Sequence, residues 1–139
     1  MPTALLDDST VRISVTRVVV TNTMDLILMV QDTGQRALDA FVEEQRRDGP
    51  LALSHSASDV EARMDALRHM LAAHLQMRMS CLQLGFNLPH GQSGVRLRIG
   101  AVRLPEGILL KVMLKFSDFE HEELMVPTAA ILPATFADT

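Results

Sequence analysis

The chain contains no Trp and no Tyr, so any flat ring surface must come from its five Phe. That excludes the usual aromatic platforms for single-stranded nucleic acid and for sugars. The single Cys81 excludes an intramolecular disulfide, and likewise a thiolate metal cluster built within one chain. Lysine is nearly absent, with two Lys against eleven Arg, so most cationic groups are planar forks suited to fixed carboxylate or phosphate contacts. No apolar run approaches the roughly 20 residues of a membrane span. The opening Met1-Pro2-Thr3 shows neither a basic region nor an apolar signal core, so a cytoplasmic protein without membrane insertion is expected. No nucleophile elbow, paired-glycine phosphate loop, HExxH or CxxC occurs. No catalytic and no metal site is therefore expected. The run Glu120, His121, Glu122, Glu123 reads as a solvated charged face.

What is present suffices for one domain. The chain has 139 residues, 47% of them hydrophobic, with nine Met supplying an adaptable part of the core. A net charge of −4 argues against a nucleic-acid partner.

The order of elements reads as strands, two helices, strands. Val11 to Val20 is β-branched and partly alternating, Thr21-Asn22-Thr23 interrupts it, and Met24 to Val30 is a second apolar run, which predicts a hairpin. Asp32 or Thr33 then stands as an N-cap ahead of Ala37, Leu38, Phe41 and Val42, with Asp48-Gly49-Pro50 as the stop. Residues 51–57 read as a connector. A second helix is expected from Ser58 or Asp59 to about Leu84. At the rise of an α-helix it would be roughly 40 Å long. The period of two returns at Val95, Leu97, Ile99 and Ala101, set against Arg96 and Arg98. Leu104-Pro105-Glu106-Gly107 makes a turn, Ile108 to Phe116 the returning strand with Lys111 and Lys115 on its wet face, and Leu124 opens a last segment broken by Pro127 and Pro133.

The long helix carries a heptad pattern. Val60, Leu67, His74 and Cys81 take the a positions, and Arg63, Met70, Met77 and Leu84 the d positions. Met64 and Leu71 at e, with Ala66 and Ala73 at g, widen the apolar stripe beyond what two helices bury. Leu75 and Leu82, on the opposite side, suit the shorter helix. The helix looks too long for two short hairpins to cover. The expectation is a homo-oligomeric coiled coil, a tetramer ahead of a trimer, with Val60, Arg63, Met64, Leu67, Met70, Leu71, His74, Met77, Cys81 and Leu84 at the interface. His74 at an a position would weaken that assembly on protonation.

The stretch Gly94-Val95-Arg96-Leu97-Arg98-Ile99, the turn Leu104-Pro105-Glu106-Gly107 and the strand Ile108 to Leu114 resemble the central hairpin of PilZ domains. The resemblance implies a small antiparallel β-barrel and a place in cyclic di-GMP signalling. The fold expected is thus α+β: a single PilZ-like barrel over residues 1–139, interrupted by a helical oligomerisation insertion at about 33–87. The chain departs from the family at both binding motifs. The nearest match to the Arg-x-x-x-Arg arm is Arg12 and Arg17, spaced five apart, and of Asp-x-Ser-x-x-Gly only Gly94 survives in Pro89-His90-Gly91-Gln92-Ser93-Gly94. The residues left to a nucleotide are Arg12, Arg17, Gly94, Arg96 and Arg98. No cofactor is expected, and cyclic di-GMP binding should be weak or nil. The resemblance implies a bacterial, non-enzymatic adaptor in cyclic di-GMP-linked control of pili, motility or virulence, acting on an unidentified signalling protein. Two alternatives remain: a direct cyclic di-GMP receptor using a basic sheet face of Arg96, Arg98, Arg103, Lys111 and Lys115, or a small acidic secretion-type chaperone.

Overall fold

Three long strands at the C-terminal end of the chain set the frame on which everything else packs. In the computed structural model, which describes residues 4–5, 9–12, 22–53, 56–79, 94–117 and 122–136, the elements run β1 (Ala4–Leu5), β2 (Ser9–Arg12), α1 (Thr23–Gln45), β3 (Leu51–Leu53), α2 (Ala57–Met79), β4 (Gly94–Leu104), β5 (Gly107–Ser117) and β6 (Glu123–Phe136). The fold is α+β: two helices on a curled, half-barrel sheet. Strand order is β1-β4-β5-β6-β3, with β2 also pairing β4; all pairs are antiparallel except β3 with β6. Among the described residues no pairing joins β3 to β1 or β2, and the described strands form a half-barrel.

The β4–β5 hairpin follows the expected alternation. Leu97, Ile99 and Ala101 face the core together with Ile108, Leu110, Val112 and Leu114. Its turn ends on Gly107 at φ +155, where a Cβ would stand 2.2 Å from the Leu132 carbonyl oxygen; only glycine fits. The last segment differs from expectation. Pro127 and Pro133 do not break it but lie within β6, which pairs with β5 along its length. The bond from Ala134 N to Glu106 O, 3.3 Å, marks Gly107↔Pro133 as a non-hydrogen-bonded pair, so the Pro133 nitrogen points away from β5. Pro127 has the same phase. Proline is tolerated where the missing N–H faces an edge.

Met24 to Val30 is helical, not the second arm of a hairpin. Asn22, expected in a turn, is the N-cap, its Oδ1 accepting from Asp25 N at 2.8 Å. Leu26, Val30, Ala37, Leu38 and Phe41 then bury one face at helical spacing. A seven-residue apolar run fits either period, and the cap decides. Gly34 lets α1 lie close on the sheet: a Cβ there would meet Leu114 Cδ1 at 2.6 Å. The other expected hairpin arm, residues 13–20, lies outside the described residues. The connector after Pro50 includes β3, which runs parallel to the end of β6.

Helix α2 has 23 residues and packs on α1, β4, β2 and β3, while the three long strands have 11, 11 and 14. The helix is therefore about 34 Å long. Strands of those lengths are about 36–46 Å, no shorter than the helix. The hairpin strands are thus not short beside the helix. Val60, Met64, Leu67, Leu71 and Leu75 are buried in the chain's own core.

Candidate functional site

The structure divides the apolar stripe of the long helix. Val60, Met64, Leu67 and Leu71 are each at most 2% exposed within the single chain. Arg63, Met70 and Met77 face solvent, as do Ala66 and Ala73. Cys81, Leu82 and Leu84 lie outside the described residues. His74 is half-buried, its Nε2 3.0 Å from the Ala37 carbonyl and its ring edge-on to Phe41, so it ties α2 to α1. A heptad cannot distinguish an intrachain groove from an intersubunit one, and here the a, e and b positions fill the former.

On the same helix Arg68 is 5% exposed. Its Nη2 bonds Asp65 Oδ1 at 2.8 Å, while Nε and Nη1 are buried with no partner among the described residues. Nothing in the heptad marks this residue, which it places on the outer side.

The second candidate is the sheet surface turned away from the helices. Register fixes its layout. Arg96 stands beside Lys115, which stands beside Met125; Arg98 beside Met113 and then Pro127; Gly100 beside Lys111 and then Ala129. Apart from the buried Gly100, these positions alternate with the buried ones, so both helices lie on the inner face and the cations lie together on the outer. Met113 is half-buried, Met125 is 54% exposed and Ile131 43%. Arg103, expected with this group, has the opposite phase: its guanidinium lies 4.2 Å from the centre of the Phe136 ring, over its face.

Glu123 supplies a counter-charge. Its Oε1 bonds Lys115 Nζ at 3.0 Å and Arg96 Nη2 at 3.1 Å. The hydrogen bond and charge of Lys115, with Arg96 adding to them, hold the Glu123 carboxyl below the ordinary carboxylate value. By sequence alone the acidic segment reads only as a solvated run. The signal that separates Glu123 from its neighbours is pairing: it faces Ser117, one step along the outer row from Lys115.

Of the residues proposed for a nucleotide, Arg96 and Arg98 are exposed on this outer face and Arg12 takes the register position opposite Gly94. Arg17 lies outside the described residues. Among the described residues no three His, Cys, Asp or Glu side chains gather as a metal site. No described helix is long and apolar enough to cross a membrane. No protein-family model, no curated protein and no solved structure matches the chain.

Proposed function

We propose that this chain is a non-enzymatic adaptor that works through protein–protein contacts on the outer face of its sheet. One observation carries the reading: both helices lie on the inner side, so among the described residues no helix covers an outer face that mixes Arg96, Arg98, Lys111 and Lys115 with Met113, Met125 and Ile131. Arginine and methionine among apolar neighbours are the residue types that protein interfaces favour. The likeness of the β4–β5 hairpin to PilZ domains supports a place in cyclic di-GMP-linked control, with the half-barrel sheet as a reduced form of that family's barrel. In this reading the protein acts in the cytoplasm, and copies associate through the part of the α2 stripe left outside, at Met70 and Met77.

The test pairs two measurements. A photoreactive residue at Met113 should yield, in living cells, an adduct with one defined protein, and Lys111→Glu with Lys115→Glu should abolish it. Calorimetric titration with cyclic di-GMP should show no tight binding. Submicromolar binding of the nucleotide would overturn the adaptor reading and make the basic face a receptor site.

A further inference from the structure

The charge on the outer face narrows the choice of partner. Arg96, Arg98, Lys111 and Lys115 stand in adjoining rows, with Glu123 at one end, on a chain whose net charge is −4. The opposite side carries exposed Asp25, Asp32, Asp39, Glu43 and Glu44 along α1, with Arg36, paired to Asp32, as that helix's one cation. The molecule is therefore polarised, basic on the outer sheet face and acidic along α1, while α2 balances three acidic side chains with three Arg.

We infer that the outer face of β4–β5 binds an extended acidic segment of a partner protein, with Lys111 and Lys115 gripping carboxylates on either side of an apolar side chain seated on Met113. This deepens the adaptor reading and rests on it. Lys111 and Lys115 are four residues apart on one strand, and Met113 lies midway on the same face. Four residues of strand span about 13 Å. An extended chain has the same two-residue period. Carboxylates at positions i and i+4 therefore reach the two lysines while the side chain at i+2 meets Met113, flanked by Arg98 on the next strand. Glu123 already shows that a carboxylate is accepted here, since its Oε1 bridges Lys115 and Arg96 at 3.0 and 3.1 Å. It is an internal occupant of one end of the row and competes for that end.

Long polyanions fit less well. The few basic side chains attract a polyanion only within a Debye length of about 8 Å, so most of a DNA duplex or an anionic bilayer gains nothing from them. The face also carries no Trp or Tyr for bases to stack on, the chain having neither. A short acidic segment touches only the basic rows.

The probe is a fluorescent peptide of two Glu-Thr-Leu-Thr-Glu repeats, followed by anisotropy with the full chain. Binding should weaken as salt rises, fall about tenfold in Lys111→Glu with Lys115→Glu, and fall severalfold when the Leu and Glu positions of the peptide are exchanged. Glu123→Gln should tighten binding about threefold by releasing Lys115 and Arg96, a gain that a merely structural ion pair would not produce. If the charge-reversed variant misfolds, Lys111→Gln with Met113→Ser is used in its place, and retained affinity there is refuting. The proposal is overturned if Glu123→Gln leaves affinity unchanged. It is equally overturned if an oligonucleotide of equal charge, or vesicles containing phosphatidylserine, bind as tightly as the peptide. Loss of peptide binding with the Met113 crosslink intact removes the acidic partner and leaves the adaptor; loss of both removes both.

Discussion

Replacing Arg68 by Met should make the protein more stable. Arg68 is 5% exposed, and its buried Nε and Nη1 have no partner among the described residues. A buried donor left unsatisfied costs about 1–3 kcal/mol, and more on a charged group. Two such atoms put the penalty at roughly 2–6 kcal/mol. Against it stands the pair with Asp65 at 2.8 Å, whose carboxylate side is 55% exposed and screened. A pair of that kind is worth about 1 kcal/mol or less. Met keeps most of the aliphatic stem packed and removes the charge, and Asp65 returns to water at little cost. Allowing for imperfect packing, the net gain is about 1–3 kcal/mol. At roughly 3 °C per kcal/mol for a chain of this size, the thermal midpoint should rise by about 3–9 °C. Urea denaturation checks the same quantity, with an unchanged slope showing that the denatured state is not altered. Arg68→Ala is the control. It removes the charge but leaves a cavity, and should fall below Arg68→Met by about 1–2 kcal/mol. A midpoint lowered by Arg68→Met refutes the reasoning, because it would mean that the guanidinium is satisfied and its loss orphans a partner.

Glu123 is held ionised by Lys115 and Arg96, so its contribution is present above the ordinary carboxylate value of 4.5 and is lost as pH falls through its lowered value. Glu123→Gln should flatten the acid side of the stability curve below about pH 4.5, read by urea midpoints at successive pH values. A Cβ on Gly107 would stand 2.2 Å from backbone that cannot yield without moving β6. Gly107→Ala should therefore cost about 3 kcal/mol or more; a loss under about 1 kcal/mol, read by denaturant unfolding, counts against that geometry. Leu67→Glu should unfold the chain, because Leu67 is 0% exposed. Met70→Glu with Met77→Glu should instead keep the fold and bring the mass by light scattering to 15.4 kDa. A doubly substituted chain that stays associated removes α2 from the interface.

The parts of the fold legible in the sequence were those where one signal stood unopposed. Leu97, Ile99 and Ala101 alternate with arginines, and the Pro105–Gly107 turn leaves a single way to fold back, so the hairpin could be read in register. Met24 to Val30 has one polar interruption, at Asp25, and fits both periods; the deciding fact, Asn22 capping Asp25 N, depends on which neighbour of the run folds. The prolines of β6 signal a break unless their phase relative to β5 is known. On α2 the apolar stripe was legible, but its partner was not: a helix face carries no mark saying whether its groove belongs to the same chain. The outer face was legible in Arg96, Arg98, Lys111 and Lys115 because period two placed them together. Arg103 broke phase, and Glu123 joined only through a pairing fixed by the β5–β6 register.

The side chains of Gln31 and Gln35 reach the carbonyls of Pro127 and Ala129, partners 96 and 94 residues further along the chain. A ribosome delivers α1 long before it delivers β6. Until then Leu26, Val30, Leu38 and Phe41 have no sheet to cover them, and β3 has no strand to join. The first helix can settle only after β6 has been made. The nascent chain therefore presents its apolar first helix until β6 has emerged, and its need for a chaperone should be greatest in that interval.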